Sequence, residues 1–348
     1  MALPTSLLGN TTNSTISPDE VSEPSSLATA IIYFISGLAL LVILGGNGLV
    51  IILIVKFRRL RTATNYFILG MASADFSLGI IVTVVIIMKL HPHLPIPPIG
   101  CLLLRCTILF PAVTSCLTLL SVSLDRYLKI VMPLRYHDLM SKRIAMMIVI
   151  SIFVYTALTI YVLPLTISNG TQIFNQTCWI NYSLTIIHPA YLQFLVFGNI
   201  LLPLCLICII YGQIFRKVVQ IIGHERSSIP QQPARNIIRN SRRSSRHSWT
   251  RSWITRELKT IKTLVILLGL CIFGWVPFCG VILFEIYNPS YQVGLKALSV
   301  IRVCTSLNSA ANPIVYSLRS EQFRLCLRKL FGITKKHSNV TNRINTIS

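Results

Sequence analysis

Acidic residues are scarce in this chain. Only 10 Asp and Glu stand against 32 Lys and Arg in 348 residues, and charges of either sign make up 12% of the sequence. So few charges cannot surface a soluble globule of this size. With 53% hydrophobic residues and a mean hydropathy of +0.67, the composition is that of a membrane protein. The net charge of +22 therefore needs a bilayer explanation before a nucleic-acid one. Met1 to Leu27 contains no Lys or Arg and no long apolar core, so it lacks a basic-then-apolar signal peptide, and the first spanning helix is expected to direct insertion. The ten cysteines lie mostly inside apolar runs, and none has a Cys/His spacing that suits zinc. There is no phosphate loop and no Ser/His/Asp set, which argues against an enzyme. No repeat of 20–50 residues marks a solenoid or propeller. A seven-helix transporter or channel would want more intramembrane ionisable residues or interrupted helices than are present.

What is present is a series of seven apolar segments, roughly 28–56, 65–90, 99–127, 144–167, 187–215, 258–286 and 294–318. Each exceeds the approximately 20 residues needed to cross a bilayer. After them, Ser320 to Phe331 places Phe323, Leu327, Leu330 and Phe331 on one face beside Arg324, Arg328 and Lys329, the pattern of a helix lying on the membrane surface. The expected fold class is all-α: a seven-transmembrane helix bundle with a short C-terminal amphipathic helix. The expected division is a tail over 1–27, a membrane domain over 28–332 and a second tail over 333–348.

Charge placement predicts the orientation. Of the 32 basic residues, 28 fall in 56–61, 126–143, 216–262 and the region from 319 onward, all on one side of the bundle. Positive-inside bias makes that side cytoplasmic. Glycosylation acceptors of the N-x-S/T type at Asn10, Asn13, Asn169, Asn175 and Asn181 fall on the other side, which predicts an outside N-terminus; a sixth, at Asn339, lies in the basic tail, where glycosylation is not expected to reach it. The loop from Ile221 to Trp253 lacks apolar periodicity and is expected to be largely disordered; Ser244, Ser245 and Ser248, set among arginines, can accept phosphate, and the alternative is a basic loop held near lipid headgroups.

Five groups of residues carry chemistry. Cys101 and Cys178 are the two cysteines placed at the outside face, where an oxidising compartment favours a disulfide between them; the alternative is two free thiols. Asp75 sits midway along the second span, where an unpaired carboxylate is expensive. Ser115, Asn47, Asn308, Ser309 and Asn312 lie at comparable depth and supply neutral oxygens, which suits a sodium ion with water; the alternative is a protonated Asp75 in a plain hydrogen-bond network. Asp125-Arg126-Tyr127 closes the third span, and Glu257 opens the sixth at matching depth, so a carboxylate-held guanidinium can latch the two helices; the alternative is interfacial charges reaching water. Pro203, Pro277 and Pro313 interrupt three spans and favour kinks. Lastly, four basic residues lie off the cytoplasmic side: Lys89, Arg105, Lys296 and Arg302. Arg105 is one turn above Ile108 and Arg302 one turn above Ser306, with Glu285 as the acid beside them, so a carboxylate or phosphate on a ligand is expected there; pairing with Glu285 or lipid headgroups is the alternative.

Taken in order, GN at Asn47, ASAD at Asp75, the Cys101/Cys178 pair, LDRY at Arg126, Pro203 with Tyr211, WVP at Trp275, and LNSAANPIVY followed by Phe323 resemble the rhodopsin-like G-protein-coupled receptors from about Ala28 to Phe331. The resemblance implies a plasma-membrane receptor with an outside ligand, a heterotrimeric G protein inside, and arrestin and receptor kinases as further partners. It implies a ligand cavity bordered by Arg105, Ile108, Leu109, Ala112, Trp275, Ile282, Arg302 and Ser306. It assigns sodium to Asp75, Ser115, Asn308, Ser309 and Asn312, with no other cofactor. Activation and coupling fall to Asp125, Arg126, Tyr127, Tyr211, Glu257, Pro277, Pro313 and Tyr316. PLRY and LNSAANPIVYSLRS are loosely similar to the adenosine, lysolipid, cannabinoid and melanocortin receptors, and Pro203 favours the adenosine-like members. Ile108 stands where amine receptors place an aspartate, and Ser306 where opsins place the retinal lysine. A purine-like ligand and an orphan receptor active without one are the competing readings. Four departures stand out: no tryptophan in the fourth span or in 91–100, Cys116 for isoleucine, Cys271 for phenylalanine, and Gly274 for cysteine.

Overall fold

The computed structural model describes residues 26–91, 98–167, 188–227, 237–288, 291 and 295–332. Seven long helical segments are present: Ser26–Lys56, Ala63–Leu90, Pro98–Val131, 142–167, 189–227, Ile237–Tyr287 and Leu295–Arg319, here called the first to seventh spans. Among the described residues, five of them include stretches long and apolar enough to cross a membrane by length and composition. The third and seventh complete the bundle and pack among them. No strand occurs among the described residues.

Local chemistry sets the helix starts. Thr62, Ser141 and Ser320 each accept a hydrogen bond from the backbone N–H three residues on, at 3.3, 3.2 and 3.4 Å. That is the N-cap geometry that satisfies a first-turn donor. Pro133 and Pro189 stand in the first turn of their helices, where a missing N–H costs nothing. The fourth span carries a π turn over Leu158–Val162 and the fifth one over Phe194–Leu201, directly before Pro203. Proline removes a helical donor, and a wider turn is one way the backbone accommodates it. Pro111 lies inside the third span as a further interruption, beside the expected Pro277 and Pro313.

The third span is the axis of the core. Its Cys106, Leu109, Ala112, Val113, Cys116, Leu119, Val122 and Ile130 belong to one apolar cluster shared with the second, fifth and sixth spans. The outer faces of the first and fourth spans, by contrast, expose Tyr33, Phe34, Leu41, Met147 and Ile150, as a lipid-facing surface requires. Two glycines allow close helix approach. A Cβ on Gly46 would stand 2.7 Å from Pro313 Cγ, and one on Gly274 would stand 2.8 Å from Asn308 Cβ.

The short surface helix, Glu321–Leu330, docks Phe323 and Cys326 against Val50, Leu53, Ile54, Leu60 and Ala72 of the first two spans and their connection. Leu327 and Leu330 pack beside them. Phe331 caps the helix and is exposed, followed by Gly332 at φ 69°. The loop expected to be disordered is helical on both flanks, since the fifth span runs to Ser227 and the sixth begins at Ile237. After Pro233 the sequence holds no Pro or Gly before Gly269, and arginine is a good helix former, so the helix propagates from the span without meeting a breaker.

Candidate functional site

The polar residues gather at two levels along the third span. At the first, Asp75 is fully buried and receives two hydrogen bonds from the seventh span. Ser309 Oγ donates to Oδ1 and Asn312 Nδ2 to Oδ2, each at 2.7 Å. Ser115 of the third span is a further hydrogen-bonding neighbour of this carboxylate. Asn47 Nδ2 donates to the carbonyls of Ile43 and Ser309, at 3.0 and 3.3 Å, and ties the first span to the group. Its Oδ1 is buried without a partner among the described residues. Asn308 is buried one residue from Ser309, against Gly274. A carboxylate with capacity left on both oxygens, two hydroxyls, and an unpartnered amide oxygen form a donor set that suits a small hard cation.

At the second level, Arg126 Nη2 lies 3.4 Å from Asp125 Oδ2. Thr64 Oγ1, at the start of the second span, donates to Asp125 Oδ2 at 2.7 Å and accepts from Arg126 Nη2. Tyr136 OH, on the short helix Pro133–Leu139, donates to Asp125 Oδ1 at 2.9 Å. Ser123 Oγ donates to Leu119 O at 2.8 Å and meets Tyr211 OH of the fifth span at 3.4 Å. Asp125 and Arg126 are both buried. The arginine is thus held from its own span and the second span, while the connecting helix holds its partner Asp125. Tyr127 sits half-buried against the core, outside this group of bonds.

Between these levels and the opposite end, Cys116 Sγ and Cys271 Sγ touch at 3.6 Å across the third and sixth spans. One turn beyond, Trp275 is buried with its ring edge-on to Phe278, centroids 5.9 Å apart. Its indole N–H has no partner among the described residues. Leu109, Ala112 and Ile282 are buried in the same cluster, while Ser306 is half-buried. Glu285, near the Cys101 end, is buried as well.

The sequence-based expectations meet this geometry unevenly. Asp75, Ser115, Ser309 and Asn312 come together as expected, and Asp125 pairs with Arg126. The side chains of Cys101, Arg105, Ile108, Glu257, Arg302 and Tyr316 lie outside the described residues, as do Cys178 and the acceptors Asn10, Asn13, Asn169, Asn175 and Asn181. Sequence reading missed Thr64 and Tyr136. Tyr136 was legible in part, because PLRY places it 11 residues after Asp125, beyond a proline that can start a new helix. Nothing in the sequence singles out Thr64.

Residues 46–316 match the family described as 7 transmembrane receptor (rhodopsin family). Among curated relatives, the adenosine receptor A2b of Mus musculus is 26% identical over 317 residues, covering 82% of this chain and 85% of the relative. The Homo sapiens and Bos taurus adenosine A2b receptors are 26% and 27% identical over 310 and 308 residues, with the same coverage. The family's members are signalling receptors that work with G proteins and outside ligands, not enzymes, and the chain belongs to it: it is a rhodopsin-family, seven-transmembrane G-protein-coupled receptor.

Proposed function

We propose that this receptor converts the binding of a small anionic ligand at its Cys101 end into G-protein activation at its Arg126 end. The Cys101 end faces outside the plasma membrane, with its asparagines glycosylated and Cys101 bonded to Cys178; the Arg126 end faces the cytoplasm, where arrestin and receptor kinases also act. The carrying observation is the asymmetry along the third span. One end has the buried, many-partnered group around Arg126, and the other has an apolar floor of Leu109, Ala112, Trp275 and Ile282. Arg105 and Arg302 stand above that floor in the sequence register, and a guanidinium recognises a carboxylate or phosphate by charge-assisted bonds.

In the resting state, Asp125 and Thr64 hold Arg126 inward, and Tyr136 fixes Asp125. Agonist pressure on Trp275 is passed to Pro277, where the interrupted helix lets the sixth span pivot. The Cys116–Cys271 contact parts, Glu257 moves away from Arg126, and the guanidinium turns toward Tyr211 and the opened cavity. Asp75, Ser115, Asn308, Ser309 and Asn312 would hold sodium, which supplies a compact positive charge to the carboxylate and favours the resting packing of the seventh span.

A purine ligand is the second reading, and what favours it is the likeness to adenosine A2b receptors. Against it stand Ile282 and Ser306 at the positions where an adenosine site offers asparagine and histidine. The deciding experiment is G-protein activation in cells expressing this chain, challenged with lipid acids, phosphates, carboxylates, purines and peptides. Arg105→Ala and Arg302→Ala are expected to right-shift an anionic agonist at least tenfold. Unchanged potency at equal surface expression refutes the anionic reading, and a purine-only response selects the second.

A further inference from the structure

The flank of the bundle between the fourth and fifth spans holds a groove of about 480 Å³, bordered at its back by Leu117 of the third span. That size is within the range of roughly 300–1,000 Å³ typical of small-ligand sites. Met147 and Ile148 are among its apolar walls, yet three polar residues also line it: Ser151, Tyr155 and Asn199. Ser151 and Tyr155 are exposed on the side that faces lipid. The fourth span begins at Lys142. At about 1.5 Å per residue, Ser151 lies about 13 Å and Tyr155 about 20 Å along it. Both are therefore well inside a hydrocarbon core about 30 Å thick, beyond reach of headgroups at either face.

The hydrogen-bond inventory of this notch is incomplete. Tyr155 OH donates to Asn199 Oδ1 at 2.7 Å. Asn199 Nδ2 gives one hydrogen to Phe194 O at 3.3 Å, a five-residue step that the π turn permits. The second amide hydrogen of Asn199, a lone pair on Tyr155 and the whole Ser151 hydroxyl have no partner among the described residues. Polar groups left unsatisfied in hydrocarbon are costly, so the notch selects an occupant with a hydroxyl or carbonyl at this depth. An acyl chain fits the slot but brings no polar atom. A sterol spans about one leaflet, or roughly 15 Å of hydrocarbon. With its ring hydroxyl at the headgroups beside Lys142 and Arg143, its tail ends at the level of Ser151 and Tyr155.

We propose that this groove binds a sterol of the leaflet at the Arg126 end that carries a hydroxyl group on its tail, which donates to Tyr155 or Ser151 and accepts from Asn199. The site is separate from the ligand cavity and does not depend on the anionic reading. The test uses full-length receptor in lipid nanodiscs with a photoreactive, alkyne-tagged cholesterol. Label is expected on peptides spanning 144–155 and 194–201. A tail-hydroxylated sterol should compete about fivefold to tenfold better than cholesterol, the worth of one or two net hydrogen bonds. Ser151→Val with Asn199→Leu should erase that preference while cholesterol still competes. Met147→Trp, which fills the groove and keeps the polar set, should abolish labelling; it also serves if the double variant misfolds. Equal competition by the two sterols, label elsewhere, or label indifferent to both variants overturns the proposal. So does a disulfide between Ser151→Cys chains that excludes the probe, which would assign the face to a second copy.

Discussion

Removing Thr64's hydroxyl tests whether the group around Asp125 is what keeps this receptor quiet. In Thr64→Ala the buried Asp125 loses its 2.7 Å donor, and Arg126 loses the oxygen that bridges it to the second span. A hydrogen bond to a charged group is worth about 1.5–3 kcal/mol. Tyr136 and Arg126 remain to solvate the carboxylate, so the lower end, about 1.5 kcal/mol, is the appropriate figure. If the bond exists only in the resting state, that loss shifts the resting-to-active equilibrium about tenfold. A receptor about 1% active at rest would then become about 10% active. Tyr136→Phe should act in the same direction. The double variant should fall short of the sum, because both hydroxyls serve one carboxylate. The assay is basal nucleotide exchange on G protein in membranes matched for receptor content. Basal exchange at the wild-type level in both variants, with normal surface expression, would refute the resting role of this group.

Gly274→Ala places a Cβ 2.8 Å from Asn308 Cβ and 3.4 Å from Cys304 O, so the sixth and seventh spans must part; a loss of about 1–3 kcal/mol should appear as a lower melting temperature in detergent. A dithiol-bridging alkylator a few ångströms long should join Cys116 and Cys271 and block agonist response; a cross-linked receptor that still signals would show that the two spans do not separate there. Asp75→Asn should make agonist affinity insensitive to sodium, whereas wild-type affinity should fall as sodium replaces potassium at constant ionic strength; equal salt dependence would remove the cation from this site.

The bundle was legible because span length is a one-dimensional signal. Asp75 was legible because a carboxylate in an apolar run demands partners, and its partners recur on one face of the seventh span at Ser309 and Asn312. The Arg126 group was half legible. Its charges are visible in the chain, but Thr64 and Tyr136 reach Asp125 only through the packing of the second span and the fold of a seven-residue helix, which no local pattern encodes. The π turns were out of reach for a similar reason: Pro203 forecasts a disturbance, not the wider turn over Phe194–Leu201.

Cys326 carries a consequence for how the tail is tethered. A cysteine on an amphipathic helix at the membrane surface is ordinarily a candidate for fatty acylation, a reversible anchor under enzymatic control. In this receptor the thiol is turned inward, only 5% exposed, against Leu53, Ile54 and Leu60. No acyl chain can be attached there while the helix stays docked. The surface helix is thus clipped to the first two spans by Phe323 and Cys326 themselves, and its attachment is coupled to the packing of the bundle.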